Sequence, residues 1–266
     1  MPQTDSQTIL ITGASSGVGA ATARRFAALG AHVVLAARGA QALQAVADEI
    51  GGTAITADVA SNADCLRLIQ TCVETSGRLD VLVNNAGCHH RGPLASVDTD
   101  ALAQMVDTNL RAPVVLSRAA LPHLQAAPRG AIVNVASIAG QMPLAGSAVY
   151  SATKFGLRAL TYALAEELRG SSVSVSVVSP GPIETDFILD NIDNVSDITF
   201  SQPMSTPEQI AELIVACAAD GRIERSRPRI SRVIATAGYL IPALPRLLRP
   251  ALERRGRRAK DRYRGS

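Results

Sequence analysis

The chain has 266 residues, of which 47% are hydrophobic but only 3% aromatic, and its formal net charge is +3. This size predicts one large α/β domain whose core is built from Ala, Val, Leu and Ile. No stretch approaches the roughly 20 apolar residues of a spanning helix, and the polar segment Met1–Thr8 lacks a signal-peptide core, which argues against an integral membrane protein. The cysteines Cys65, Cys72, Cys88 and Cys217 form no CxxC pair. That pattern argues against a disulfide framework and for a reducing, cytoplasmic setting.

Predicted strands and helices alternate along the chain. Thr8–Ile11 is a short apolar strand, followed by a glycine-rich turn and an Ala-rich helix over Val18–Leu29. His32–Ala37, Thr53–Ala57 and Leu79–Val83 read as strands, with helices at Ala40–Ile50 and Ala63–Thr75 between them. Two helices follow, Thr99–Leu110 and Pro113–Gln125, then a strand over Ala131–Val135. A long helix covers Val149–Leu168, a strand Val173–Val178 and a helix Glu208–Ala219; Arg229–Ile234 is the candidate seventh strand. Strands separated by helices predict βαβ units: a doubly wound parallel sheet, or Rossmann fold, of about seven strands with helices on both faces. Residues 1–234 form this single domain, and 235–266 form a basic extension expected to dock on it. Gly181–Pro207 breaks the rhythm with three prolines, the mark of a functional or irregular loop.

The first strand-to-helix turn reads Thr12-Gly13-Ala14-Ser15-Ser16-Gly17-Val18-Gly19. Glycines there let the backbone approach a ligand closely, and the helix N-terminus offers N–H groups to a pyrophosphate. The second strand ends in Ala36-Ala37-Arg38. An NAD site usually carries an acid there for the ribose 2′-OH, whereas an arginine accommodates a 2′-phosphate. Arg38 either caps a strand end or faces that phosphate, and the missing acid favours NADP(H) over NAD(H).

Tyr150 and Lys154 lie four apart on a predicted helix, and so share one face. A phenol has a pKa of about 10 and is a poor base near neutrality. A neighbouring ammonium favours the phenolate, which makes the pair a general acid/base for a hydroxyl proton. Lysine is otherwise rare here: Lys154 and Lys260 are the only two.

With these residues in place, the chain resembles the short-chain dehydrogenase/reductase family, over about Thr8 to Ile234. Thr12 to Gly19 is similar to the family's TGxxxGxG. Asp58-Val59 follows strand three, where the family contacts adenine. Asn84-Asn85-Ala86-Gly87 matches NNAG, Tyr150 and Lys154 match YxxxK, and Pro180-Gly181 with Thr185 matches PGxxxT. Asn109 falls at the family's helix asparagine, and Ser137 lies thirteen residues before Tyr150.

The resemblance implies that Tyr150 gives or takes the proton at the substrate oxygen and that Ser137 hydrogen-bonds the same oxygen. It implies that Lys154 holds the nicotinamide ribose and lowers the Tyr150 pKa, and that Asn109 anchors a proton-relay water. It places the cofactor against Gly13, Ser15, Ser16, Gly17, Val18 and Gly19, then Arg38, Asp58, Val59, Asn85, Ala86 and Gly87. Tyr150, Lys154, Pro180, Gly181, Ile183 and Thr185 complete that set. Hydride transfer to a carbonyl builds negative charge on oxygen, and two preorganised donors stabilise it.

The substrate is expected to meet Ser137, Gln141, Tyr150 and Phe187. The apolar content of Gln141–Ala145 and of the Gly181–Pro207 loop suggests a lipophilic carbonyl or alcohol. Cys88-His89-His90 resembles a metal cluster, but adjacent residues rarely point at one ion; the segment reads as substrate-loop lining and no metal is expected.

Charge is unevenly distributed. Arg222–Arg264 holds 14 basic and 3 acidic residues, while the remainder is acidic. This tail could pack on the body, meet a partner subunit in a homodimer or homotetramer, or touch anionic lipid peripherally. It lacks the interleaved aromatics of a nucleic-acid binder. Two other readings stay open: a dinucleotide-sensing regulator without turnover, and a peripheral membrane protein held by its tail.

Overall fold

The computed structural model describes residues 7–185, 188, 192–228, 235–236, 238–241 and 243–264. Its strands are β1 (Thr8–Thr12), β2 (His32–Ala37), β3 (Thr53–Thr56), β4 (Val81–Asn84), β5 (Gly130–Val135), β6 (Val173–Pro180) and β7 (Glu224–Arg227). All pair in parallel in the order β3-β2-β1-β4-β5-β6-β7. The central strands are continuous runs of Val, Ile and Leu because both of their faces are covered.

The covering helices are α1 (Gly17–Ala27), α2 (Ala40–Ile50), α3 (Asn62–Ser76), α4 (Thr99–Val106), α5 (Ala112–Ala126) and α6 (Ala148–Glu167). They continue as the short α7 (Asp197–Phe200), α8 (Pro207–Asp220) and α9 (Ala243–Arg264). Alternation along β1 sends Ile9 and Ile11 to one side, with Phe26, Leu43 and Ile214, and Leu10 to the other, with Leu68, Leu116 and Leu124. Each aliphatic side chain removed from water contributes about 1.5–3 kcal/mol. Cys65 and Cys72 belong to the second of these cores, and the four cysteines are free thiols.

Two predicted elements differ from the structure. The seventh strand is Glu224–Arg227, paired with Val177–Pro180; the candidate strand Arg229–Ile234 lies outside the described residues. Glu-Arg-Ser-Arg carries no apolar signal, and β7 is defined by its pairing partner instead. The helices predicted at Thr99–Leu110 and Pro113–Gln125 form one helical run, joined through a π turn at Asp107–Arg111. Pro113 has no N–H to give to the ladder, and the wide turn just before it absorbs that gap.

Strand order reverses between β1 and β4, where the chain leaves β1 in one direction across the sheet and later resumes on its other side. A parallel sheet opens a crevice at the carboxyl ends of its strands at such a point.

Candidate active site

The crevice is built first by the turn after β1. Gly13 has φ +64, and a Cβ there would lie 2.9 Å from the Ala86 Cα. A Cβ on Gly19 would lie 2.1 Å from the Gly13 carbonyl oxygen. Both positions therefore exclude any side chain, and the turn closes tightly against the end of β4. Asn85 holds that closure: its Nδ2 donates to the carbonyls of Thr12 at 2.9 Å and Gly13 at 3.1 Å. The Thr12 hydroxyl oxygen accepts from the backbone N–H of Asn85 and of Ala86, both at 3.1 Å. Ser16 caps α1 in an extended conformation without a side-chain hydrogen bond, and the first turn of that helix carries no acid. The end of α1 thus presents backbone donors and its positive dipole end to the crevice, a setting that suits a phosphate.

The crevice widens into a cleft of about 1450 Å³. Gly13, Ser15, Ser16, Gly17, Val18, Gly19 and Arg38 line it, as do Asp58, Val59, Asn85, Ala86 and Gly87. Ser137, Tyr150, Lys154, Pro180, Gly181, Ile183 and Thr185 line it too. Arg38 is exposed at the end of β2, where no carboxylate stands. Asp58 accepts from the Ala60 N–H at 2.9 Å and donates its own N–H to Asp64 at 2.8 Å, which fixes the turn after β3. The glycine cradle and the donor-rich helix end, in a cleft of this volume, fit a dinucleotide.

Tyr150 and Lys154 rise from the first turns of α6, and Ser137 stands just after β5. The Ser137 Oγ accepts from the Ala139 N–H at 3.1 Å and stands close enough to the Tyr150 phenol to act on its pKa. Burial pushes the Tyr150 phenol above its ordinary value, and Ser137 and then the Arg91 guanidinium oppose that rise. Arg91 is thus one cation that acts on the phenol. The Lys154 ammonium lies 5.7 Å from the Tyr150 ring centroid and donates to the Val135 carbonyl at 3.0 Å. Burial lowers the Lys154 pKa to about 8.

Asn109 is fully buried in the π turn and does not line the cleft. Its Nδ2 donates to the Cys88 carbonyl at 2.9 Å and to the Thr153 hydroxyl at 3.3 Å; its Oδ1 accepts from the Cys88 N–H at 2.8 Å. It ties the segment after β4 to α6, one turn from Tyr150.

Gln141 departs from its expected place. It is buried, and its amide donates to Glu224 at 2.7 Å instead of facing the cleft, because that buried carboxylate needs donors. Its neighbours Met142, Pro143, Leu144 and Ala145 do line the cleft. Phe187 lies outside the described residues.

Sequence reasoning missed two features. The His89 ring stacks on Tyr150 with centroids 3.9 Å apart and an interplanar angle of 14°, and it shares a 3.0 Å hydrogen bond with Ser147. Burial, then the Arg91 charge, lowers its pKa to about 3, so the ring is neutral at physiological pH. Second, Glu224 gathers Gln141, Arg158, Tyr162 and Ser179 around one carboxylate. Gln141 lies four residues after Ser137 and Arg158 four after Lys154. In the basic extension, α9 supplies Arg249, Leu252, Glu253, Arg257 and Lys260 to the cleft wall. Among the described residues no group of three His, Cys, Asp or Glu could hold a metal ion.

A family model described as short chain dehydrogenase matches residues 7–194. The chain belongs to the short-chain dehydrogenase/reductase family, whose members are NAD(P)-dependent oxidoreductases. It is 35% identical over 253 residues to the uncharacterized oxidoreductase YxnA of Bacillus subtilis, covering 90% of this chain and 70% of that one. It is 35% identical over 215 residues to the ketoacyl reductase HetN of a Nostoc species, covering 79% and 74% of the two chains. The crystal structure of a metagenomic short-chain oxidoreductase in complex with NADP superposes with a TM-score of 0.70 at 36% identity, over 85% of this chain and 96% of that one.

Proposed function

We propose that this protein is an NADP(H)-dependent oxidoreductase that interconverts a carbonyl and a secondary alcohol on a lipophilic small molecule. The observation that carries the proposal is that Tyr150, Ser137 and buried Lys154 line the same cleft as the glycine turn. When bound, the nicotinamide supplies or accepts the hydride. Tyr150 delivers the proton to the substrate oxygen in reduction and removes it in oxidation, while Ser137 donates a second hydrogen bond to that oxygen. Lys154 carries the positive charge that favours the phenolate and binds the ribose. Arg38 meets the 2′-phosphate, and the backbone N–H groups at the start of α1 meet the pyrophosphate.

Met142, Leu144, Ile188, Ile198 and Leu252 are among the residues that line the cleft, which supports an apolar substrate. The chain is proposed to act as a homodimer or homotetramer, an assembly supported by the exposed apolar residues Val106 and Val114.

The test is consumption of NADPH or NADH with a panel of carbonyls of graded apolarity. Tyr150→Phe keeps the ring and removes the transferable proton, so turnover should fall by about 10²–10⁴-fold with cofactor affinity nearly unchanged. Wild-type kcat in the Phe variant, where chemistry limits the rate, would remove Tyr150 from the reaction. Cofactor binding with no turnover on any carbonyl or alcohol would leave a dinucleotide sensor.

A further inference from the structure

The helix α9 has two opposed faces. One is clamped to the body. Gly256 sits so close to α7 that a Cβ would lie 1.7 Å from the Asp197 carbonyl oxygen. One turn later Lys260 is buried and donates to the Val195 carbonyl at 2.7 Å. The other face carries Leu247, Arg254 and Arg258, which fall on one stripe at helical spacing. These three are exposed, as are Leu248, Arg255 and Arg262.

Exposed apolar side chains gather at the start of this helix and just before it. Tyr239, Leu240 and Ile241 are exposed, and Leu247 is 79% exposed. Beyond them an open groove of about 610 Å³ runs between α7 and α9, walled by Arg254, Arg255, Arg258 and Arg262. No described helix is long and apolar enough to cross a membrane.

We infer that this face docks peripherally on an anionic lipid bilayer, with Tyr239, Leu240, Ile241, Leu247 and Leu248 among the acyl chains and the arginine groove on the headgroups. An apolar tip followed by a cationic stripe matches the order of chemistry met on entering such a surface: anionic headgroups outside, hydrocarbon beneath. A nucleic acid would satisfy the arginines but leave the aliphatic tip in water. An acidic protein would satisfy both only with an apolar patch of its own at matching spacing. Gly238, Arg249, Leu252 and Glu253, interleaved with these residues, line the cleft, so docking sets the cleft mouth at the bilayer surface. The inference is independent of the reaction proposed above.

The test is co-sedimentation of the full chain with phosphatidylcholine vesicles, with and without phosphatidylglycerol. Pelleting should require phosphatidylglycerol and be released as salt screens the arginines. Arg254→Gln/Arg255→Gln/Arg258→Gln should weaken partitioning by about a hundredfold, at roughly fivefold per charge. Leu247→Ser/Leu248→Ser should weaken it by about tenfold or more while leaving the salt dependence in place. Circular dichroism and the thermal midpoint check that both variants fold. Absence of pelleting with anionic vesicles, or equal pelleting by the wild type and both variants, overturns the inference. So does a change in vesicle-free sedimentation on Leu247→Ser/Leu248→Ser without lipid binding in the wild type, which would make the face a subunit contact.

Discussion

Glu224 should act as a pH-dependent rivet. Its side chain is nearly inaccessible and accepts hydrogen bonds from described residues: two from Arg158 at 3.0 and 2.9 Å, and one each from Gln141 at 2.7 Å, Ser179 at 2.8 Å and Tyr162 at 2.8 Å. Burial alone would raise its pKa, but the hydrogen bonds from Arg158, Tyr162 and Ser179, with the Arg158 charge, bring it from 4.5 to about 2. A depressed carboxylate pKa stabilises the folded state above its unfolded value, and that contribution fades as pH falls from 4.5 toward 2. The difference corresponds to about 3 kcal/mol at neutral pH, at about 1.4 kcal/mol for each unit.

Glu224→Gln keeps the shape and removes the charge. It leaves the part-buried Arg158 without its counter-ion, and breaking such a pair costs about 3–5 kcal/mol when both groups are buried. Arg158 is 31% exposed, so the lower end, about 3 kcal/mol, applies. Urea unfolding of wild type and variant from pH 7 down to pH 3 measures the difference. It should be largest at pH 7, shrink as pH falls below the unfolded carboxylate value, and leave the m-value unchanged. A difference that stays constant with pH, or one below about 0.5 kcal/mol at pH 7, would refute the assignment of the stabilisation to the ionised carboxylate.

Cofactor choice should follow the end of β2. Ala37→Asp/Arg38→Ile introduces a 2′-OH acceptor, repels a 2′-phosphate and removes the cation, so a preference for NADPH should be lost or reversed. Equal kcat/KM for both cofactors in the unchanged protein would contradict the role given to Arg38. Lys154→Arg should lower kcat/KM by at least about tenfold, because a broad guanidinium cannot sit as a compact ammonium does in this buried site; unaltered kinetics and cofactor affinity would show a bystander.

The central strands were readable from the residues because they are buried on both faces, so that Ile9 to Ile11 and Leu82 to Val83 appear as unbroken apolar runs. β7 was not, since its four residues are polar and its one buried side chain, Glu224, is satisfied by groups far away in sequence. The glycine turn and the Tyr150–Lys154 pair are local patterns with local physical meaning, and both line the cleft. The turn of Gln141 away from the cleft and the stacking of His89 on Tyr150 depend on side chains brought together by the fold, which no spacing encodes. In the tail, expected to dock on the body, Ala235 is buried, and α9 is clamped at Gly256 and Lys260, where a string of arginines hid one small and one buried position at helical spacing.

The wide turn at Asp107–Arg111 also bears on which changes of length the chain tolerates. A π turn is an α-helix holding one residue beyond what its hydrogen-bond ladder requires. Deleting Thr108 would let the run from Thr99 to Ala126 close into uniform helix with its flanks near their present register, because the wide turn already absorbs the extra residue. Met105 on one side and Leu116 on the other, both buried, would keep their places, but narrowing the turn would draw Asn109 off Cys88. A deletion here should therefore act on the tie between the segment after β4 and α6, although the segment's own hydrogen bonding would favour the shorter chain.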